Sequence, residues 1–308
     1  MDRVRSPSDV AALRVANRAH WPVRDIEGIT IDEQVFESVG RLMSTIGMIK
    51  GAWRFRDFIV ASVRREFAIR YQGTQLGIFW PILQPLALIL IYTLVFAEIM
   101  KPKLPGHESP YAYSIYLTAG LIIWGLFSDL LNRSVGIFVQ NANLLKKVSV
   151  PKITFPVIAS FSALVHFAII FVLFLAFLVF SSNFPGTVIL GVVPILALTL
   201  LLAVGMGILL GTVNVFYRDV EQSAGLFLQF WFWLTPIVYP ARALPDFMAA
   251  ILVWNPMWPI VLAVQDIFVE QRFPNWSTLV YPLLLAMVFV VGARLAFNRL
   301  SAEIVDEL

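Results

Sequence analysis

Residues 153–215 read ITFPVIASFSALVHFAIIFVLFLAFLVFSSNFPGTVILGVVPILALTLLLAVGMGILLGTVNV, with no Asp, Glu, Lys or Arg anywhere in the stretch. A bilayer core of about 30 Å asks for roughly 20 apolar residues per helix. The stretch therefore holds two membrane spans, Ile153–Phe180 and Thr187–Val215, joined by a short turn. Working outward with the same criterion adds Leu76–Ile99, Tyr113–Leu131, Ala224–Tyr239 and Thr278–Phe297. The fifth in chain order, Ala224–Tyr239, is short and holds Pro236. It is followed by Phe247–Val264, an apolar run interrupted by Asn255, Pro256 and Pro259. Broken helices at membrane depth are tolerated only against protein or water, so this run is read as a dip back into the outer leaflet. The expected fold class is an all-α polytopic membrane protein with six transmembrane helices and a re-entrant helical element between spans five and six.

Composition agrees. Of 308 residues 59% are hydrophobic and 14% charged, and the mean hydropathy is +0.79, which excludes a water-soluble surface. Cysteine is absent, so disulfides, thiolate metal sites, iron–sulfur clusters and cysteine nucleophiles are excluded together. The first 40 residues carry carboxylates among their arginines and lack the apolar core of a signal peptide, so no cleaved leader is expected.

An even number of spans puts both termini on one face. Of the 23 basic residues, 19 fall on the side of the termini and 4 on the other; counted within about 20 residues of the membrane, the division is 11 to 4. Both termini are expected to be cytoplasmic. Residues 1–50 form a mixed-charge extension, 51–75 an interfacial segment, 76–300 the six-span domain and 301–308 a tail. Within the interfacial segment Phe55, Phe58, Ile59, Val63 and Phe67 share one helical stripe, and Arg54, Asp57, Arg64 and Arg65 lie opposite. Glu66 and Arg56 spoil the stripe. The pattern predicts an amphipathic helix along the inner surface with its arginines near lipid headgroups.

Catalysis needs titratable groups that converge, and the spans hold only Glu98, Asp129, His166 and Arg294. Asp129 and Arg133, four apart, suit a helical ion pair at the inner headgroup level. For His166 a hydrogen bond to a neighbouring helix is simpler than a proton relay. Neither a His-Glu-x-x-His zinc pattern nor a Gly-x-Ser-x-Gly serine is present. A phosphate-cradling Gly-x-x-x-x-Gly-Lys-Ser/Thr loop is also absent, so energy from ATP could enter only through another chain. Two cytoplasmic loops suit such a partner. One is Asn141–Pro151, with Asn143, Leu144, Leu145, Lys146 and Lys147. The other is Asn214–Glu221, with Phe216, Tyr217, Arg218, Asp219 and Glu221. Their apolar residues serve as anchors and their charges set orientation; Asp219 can also cap the helix that follows.

At these residues the chain resembles a known family. The run Asn-Leu-Leu-Lys-Lys-Val-Ser-Val-Pro-Lys-Ile-Thr-Phe-Pro at 143–156 is similar to the permease subunits of type-2 ABC exporters, and so is Asn-Val-Phe-Tyr-Arg-Asp-Val-Glu at 214–221 leading to Leu-Thr-Pro-Ile-Val-Tyr-Pro at 234–240. The approach to span one, Arg-Tyr-Gln-Gly-Thr-Gln-Leu-Gly at 70–77 before Trp80 and Pro81, is of the same kind. The nearest branch resembles the Wzm-like exporters of O-antigen and other polysaccharides, with teichoic acid and capsule exporters close by. The likeness covers about residues 53–300 in order. It implies a permease of the bacterial inner membrane that forms a homodimer, binds two ATP-binding-cassette ATPase subunits and exports a lipid-linked polysaccharide, with no nucleic-acid partner. The chain itself would bind no cofactor, ATP and Mg2+ residing in the partner ATPase, and would be no enzyme. The resemblance places ATPase docking on Asn143–Val150 and Phe216–Glu221 and short periplasmic helices at about Leu244–Val269. It leaves the first 50 residues unaccounted for.

A glycan can stack its apolar faces on aromatic rings. Trp124, Trp231 and Trp233 fall near mid-span, where an indole N–H must meet protein or a channel rather than lipid. With Phe127, Phe227 and Tyr239 they are the candidate channel residues. Arg64, Arg65 and Arg70 are the candidate contacts for a lipid diphosphate at the inner headgroup plane. Rival readings are another cargo in the same fold, an ion-coupled carrier, or a membrane sugar or lipid transferase built on Asp266 and Glu270. Replacing Leu144 and Leu145 by Asp should release the ATPase while the permease still inserts; unchanged co-purification would count against docking at that loop.

Overall fold

The structure is a computed structural model that describes residues 56–71, 77–95, 111–142, 154–240, 245 and 250–300, all within one compact unit, Met48–Leu308. The first 50 residues, the 143–150 loop and the tail from 301 lie outside the described residues. Among the described residues every regular element is helical. In chain order they are α1 (Arg56–Tyr71), α2 (Trp80–Thr93), α3 (Ala112–Gln140), α4 (Thr154–Phe180), α5 (Val192–Phe216), α6 (Asp219–Leu234), α7 (Met257–Phe268) and α8 (Val280–Leu300). Short 3-10 turns lead into α2, α5 and α8.

Four segments are long and apolar enough to cross a membrane: Ala112–Gln140, Thr154–Phe180, Gly186–Phe216 and Trp276–Arg299. At 14 and 16 residues α2 and α6 are shorter than the about 20 a straight span requires. Two boundaries differ from the sequence reading. The second span was expected to stop at Leu131, where Asn132, Arg133 and Ser134 follow. The helix instead continues to Gln140: Arg133 pairs with Asp129 and Glu66, Asn132 lies on the exposed face, and Ser134 is buried in close contact with the glycines of α5. The fifth was expected to run to Tyr239, yet α6 ends at Leu234. Thr235 adopts an extended conformation (φ −100°, ψ 127°), as the residue before Pro236 is sterically pressed to do.

α3 is the axis of the molecule. Twenty of its 29 residues are buried, against ten of 27 for α4. α4, α5, α6 and α7 pack around it, α8 packs on α5, and α1 lies against α4. Phe127, Phe138, Phe174, Leu130, Ile195, Leu202, Ile260 and Phe268 fill the space between them.

Lipid offers little hydrophobic drive for helix association, so membrane helices gain most by close backbone approach at small residues. α5 uses glycine on two sides. A Cβ on Gly207 would lie 2.4 Å from Ser134 Cβ, and one on Gly211 would lie 2.5 Å from the Ser134 carbonyl oxygen. On the opposite face, a Cβ on Gly205 would meet the Val290 backbone nitrogen of α8 at 2.9 Å. Gly211→Val must push backbone apart and should cost about 1–3 kcal/mol, lowering the thermal midpoint of the purified protein. Gly125→Ala, whose Cβ meets nothing within 4 Å, should leave it unchanged. Equal melting of the two variants would show that this seam does not hold the bundle.

A two-residue turn, an open groove and a charged staple

The connection from α5 to α6 is two residues long, so its ends need fastening. Asn214 does this on α5. Its amide nitrogen donates to the Val135 carbonyl of α3 (3.1 Å), and its oxygen accepts from the backbone N–H of Glu221 (3.0 Å), one of the amide groups that a helix start leaves without an internal partner. The Glu221 carboxylate accepts from Gln140 (3.1 Å) and Asn214 (3.4 Å). Of the docking residues named from sequence, Phe216 packs against the core and Glu221 is tied to its neighbours. Tyr217 is 70% exposed, and Arg218 and Asp219 project with it. Asp219 does not cap α6: the capping position is Arg218 and no side chain bonds there, although Asp219 and Glu221 do lie in the first turn, where the helix dipole favours them. Asn143, Leu144, Leu145, Lys146 and Lys147 lie outside the described residues.

Above Glu221 a groove of about 560 Å³ opens between α3 and α6, with Trp124, Ser128 and Asn132 on one wall and Gln222, Gly225, Leu226, Leu228, Gln229, Phe232 and Trp233 on the other. Its size is that of a small-molecule site. The candidate aromatics divide around it. Trp233 is 64% exposed and Phe227 53%; Trp233 lines the groove and Phe227 does not. Phe127 has no exposed surface and packs edge-on against Trp231 at 5.2 Å. Trp231 is buried and donates its indole N–H to Asn255 Oδ1 (2.8 Å), so protein satisfies that group. Trp124 is largely buried against Trp231 and Phe232, with a share in the groove wall. The Tyr239 hydroxyl donates to the Trp233 carbonyl.

The C-terminal end of α6 is stitched to the segment before α7. Asn255 also donates to Thr235 Oγ1 (2.9 Å) and accepts from the Met257 N–H (3.0 Å). From α3, Tyr116 donates to the carbonyl of Tyr239 (3.1 Å), and Tyr113 donates to that of Val238. These bonds satisfy backbone freed where α6 breaks, as burial demands. Asp266, half of the spaced carboxylate pair, binds Arg272 at 2.8 Å.

A charged cluster staples α1 to α3 and α4. Arg133 bonds Asp129 one turn earlier at 2.9 Å and pairs with Glu66 of α1. The other Glu66 oxygen accepts from Ser162 of α4 (2.6 Å), and His166 of α4 reaches Asp129 at 3.4 Å. The Asp129–Arg133 pair and the histidine's link to a neighbouring helix were both expected. Glu66, which broke the apolar stripe, is what pins α1 to the bundle. Ile59 is buried, while Arg64 and Arg65 are exposed. The Arg70 side chain lies outside the described residues. Among the described residues no group of three or more His, Cys, Asp or Glu is placed to hold a metal ion.

Residues missed from sequence are Glu66, Ser128, Asn132, Asn214, Gln222, Gln229 and Asn255. Their signal was legible in part: uncharged amides inside or beside apolar helices call for partners.

A helical chain with four segments long and apolar enough to cross a membrane, and a groove open beside them, is a multi-pass membrane protein. Residues 58–269 match the ABC-2 type transporter family, and the chain belongs to that family. It is 26% identical over 253 residues, 82% of this chain and 95% of the relative, to the O-antigen export system permease protein RfbA of Klebsiella pneumoniae. To the protein of the same name from Myxococcus xanthus it is 27% identical over 85% of this chain and the relative's full length. To the polysialic acid transport protein KpsM of Escherichia coli it is 28% identical over 77% of this chain and 92% of the relative. Membership of this family implies a partner ATPase subunit.

Arg133→Ala would leave Glu66 and Asp129 facing each other without a cation. Breaking a buried pair costs about 3–5 kcal/mol; with Glu66 37% exposed, about 2 kcal/mol is expected here, read as a lower unfolding midpoint. Arg133→Lys should recover part of the loss.

Proposed function

We propose that this chain is the transmembrane permease subunit of an exporter that moves a lipid-linked polysaccharide, O-antigen-like in kind, across the bacterial inner membrane, driven by ATP hydrolysis in a separate subunit. Family membership over residues 58–269 and the likeness to O-antigen export permeases and a polysialic acid transport protein support the reading. The observation that carries it is the joining of two features: the exposed Tyr217–Arg218–Asp219 tip, and a groove whose inner end is Glu221, two residues further on. A push on the tip acts through α6 on the groove wall.

In this reading the permease works as a homodimer with two ATPase subunits, and ATP and Mg2+ stay in those partners. α2 and α6 complete a set of six spans with both termini cytoplasmic, as the 19-to-4 division of basic residues requires. The α7 region dips into the outer leaflet at the exit. The first 50 residues form a cytoplasmic extension. Arg64, Arg65 and Arg70 meet the lipid diphosphate at the inner surface, where each cation adds about 1 kcal/mol toward anionic headgroups. Trp233 and Trp124 face the passing glycan, with Phe127, Trp231 and Tyr239 supporting them from behind, and Phe227 lies exposed beside the groove.

The test is to express the chain with its genomic neighbours and purify it in mild detergent. An ATPase should follow at one-to-one stoichiometry, and Tyr217→Ala with Arg218→Glu should reduce its recovery about tenfold or more. In cells lacking the chain the lipid-linked glycan should accumulate inside. A chain that purifies alone and transports on an ion gradient, indifferent to ATP, would overturn the reading.

A further inference from the structure

We infer that the groove between α3 and α6 is a track for uncharged sugar residues and that it selects neutral polymer over anionic polymer. The inference rests on the polysaccharide reading and adds the charge class of the cargo. Residues four apart on a helix stand one above another, so Trp124, Ser128 and Asn132 form a ladder of ring, hydroxyl and amide on α3. Across from it Gln222, Gln229 and Trp233 do the same on α6, with Gly225 leaving the wall open between the two amides.

The chemistry of these groups is specific. A carboxamide offers two donors and an acceptor, and a serine hydroxyl is both. A sugar hydroxyl is likewise donor and acceptor, so each can be paired without any charge being buried. Indole faces take the C–H side of a sugar ring.

No lysine, arginine or histidine lines the groove among the described residues. The described cations whose places bear on it are engaged or directed elsewhere. Arg133 is held by Asp129 and Glu66, and Arg272 by Asp266. Arg64 and Arg65 lie on the exposed face of α1, and Arg218 lies on the docking turn. The one charged lining residue is Glu221, an anion. A carboxylated polymer in this groove would lose hydration with no cation among the described lining residues in return, and would meet a like charge at the Glu221 end. The distinction matters within the family, whose members include a transporter named for polysialic acid, a carboxylated polymer.

The test uses the full-length chain in lipid nanodiscs and two probes of equal length: maltoheptaose, which is uncharged, and an α2,8-linked sialic acid heptamer. Binding is followed by saturation-transfer NMR at low ionic strength. Maltoheptaose should give a signal that weakens at least about fivefold in Asn132→Ala/Gln229→Ala, and the sialic acid heptamer should give none. Gln229→Lys should admit the heptamer. Thermal midpoints of the variants serve as the folding control, since both positions are exposed and a collapse of the fold would show there. Equal binding of the two probes overturns the charge selection. A maltoheptaose signal that the double variant leaves intact overturns the groove assignment, and so does the absence of any maltoheptaose signal. The underlying reading is scored separately by glycan retained in cells lacking the chain: retention with no maltoheptaose signal sinks this inference alone, whereas no retention sinks the export reading itself.

Discussion

The close approach of α5 to its neighbours sets the frame for everything else. Gly207 and Gly211 bring it against Ser134 of α3, and Gly205 brings it against the Val290 backbone of α8. In lipid such backbone proximity replaces the hydrophobic drive that holds a soluble core. Three helices thereby become one body, and α4 and α7 add their aromatic side chains to its α3 face. The shorter elements are placed by that body rather than by their own length or hydropathy.

Polar contacts then act as staples at its two ends. At one end the Arg133–Glu66–Ser162 link fixes α1, and the Asn214–Glu221–Gln140 link fixes the start of α6. At the other Asn255, Tyr116 and Tyr113 gather the broken chain after α6. Between these ends α6 touches α3 and α5 with one face and leaves Gln222, Leu226, Phe227, Gln229, Phe230 and Trp233 open. The groove thus lies on the uncommitted face of the element that is fastened at its two ends.

Much of this was legible in the residues because hydropathy is a strong signal where it is continuous. The uncharged 153–215 stretch yields two of the four long helices with ends within a few positions, and the His166 link followed from the scarcity of charge around it. What escaped was everything that depends on pairing across the bundle. Glu66 is a flaw in a one-helix pattern and a ligand for Arg133 once α1 meets α3. Arg133 and Ser134 read as the end of a span because an unpaired cation belongs at the membrane surface, yet a partner from another helix lets the helix run on to Gln140. Trp231 and Trp233, two positions apart in an apolar run, cannot be told apart by composition. The turn of α6 sends one toward Asn255 and the other into the groove. The glycine pair four apart at 207 and 211 was present in the letters and names a helix seam when read for spacing rather than for hydropathy.

The five residues between α4 and the turn that leads into α5, with Ser182 in the left-handed region at φ 58°, make these two spans a helical hairpin. No charge from Ile153 to Tyr217 must cross the bilayer with it. During synthesis such a hairpin can enter the membrane as a unit, favoured by its own hydropathy. α6 follows it as a short helix interrupted by amides, poorly suited to partition alone. It is received by a partner already in place, α5, through a two-residue turn. The element that carries the groove's amides is therefore held by a partner helix rather than by its own hydropathy, which leaves its open face free to keep polar groups.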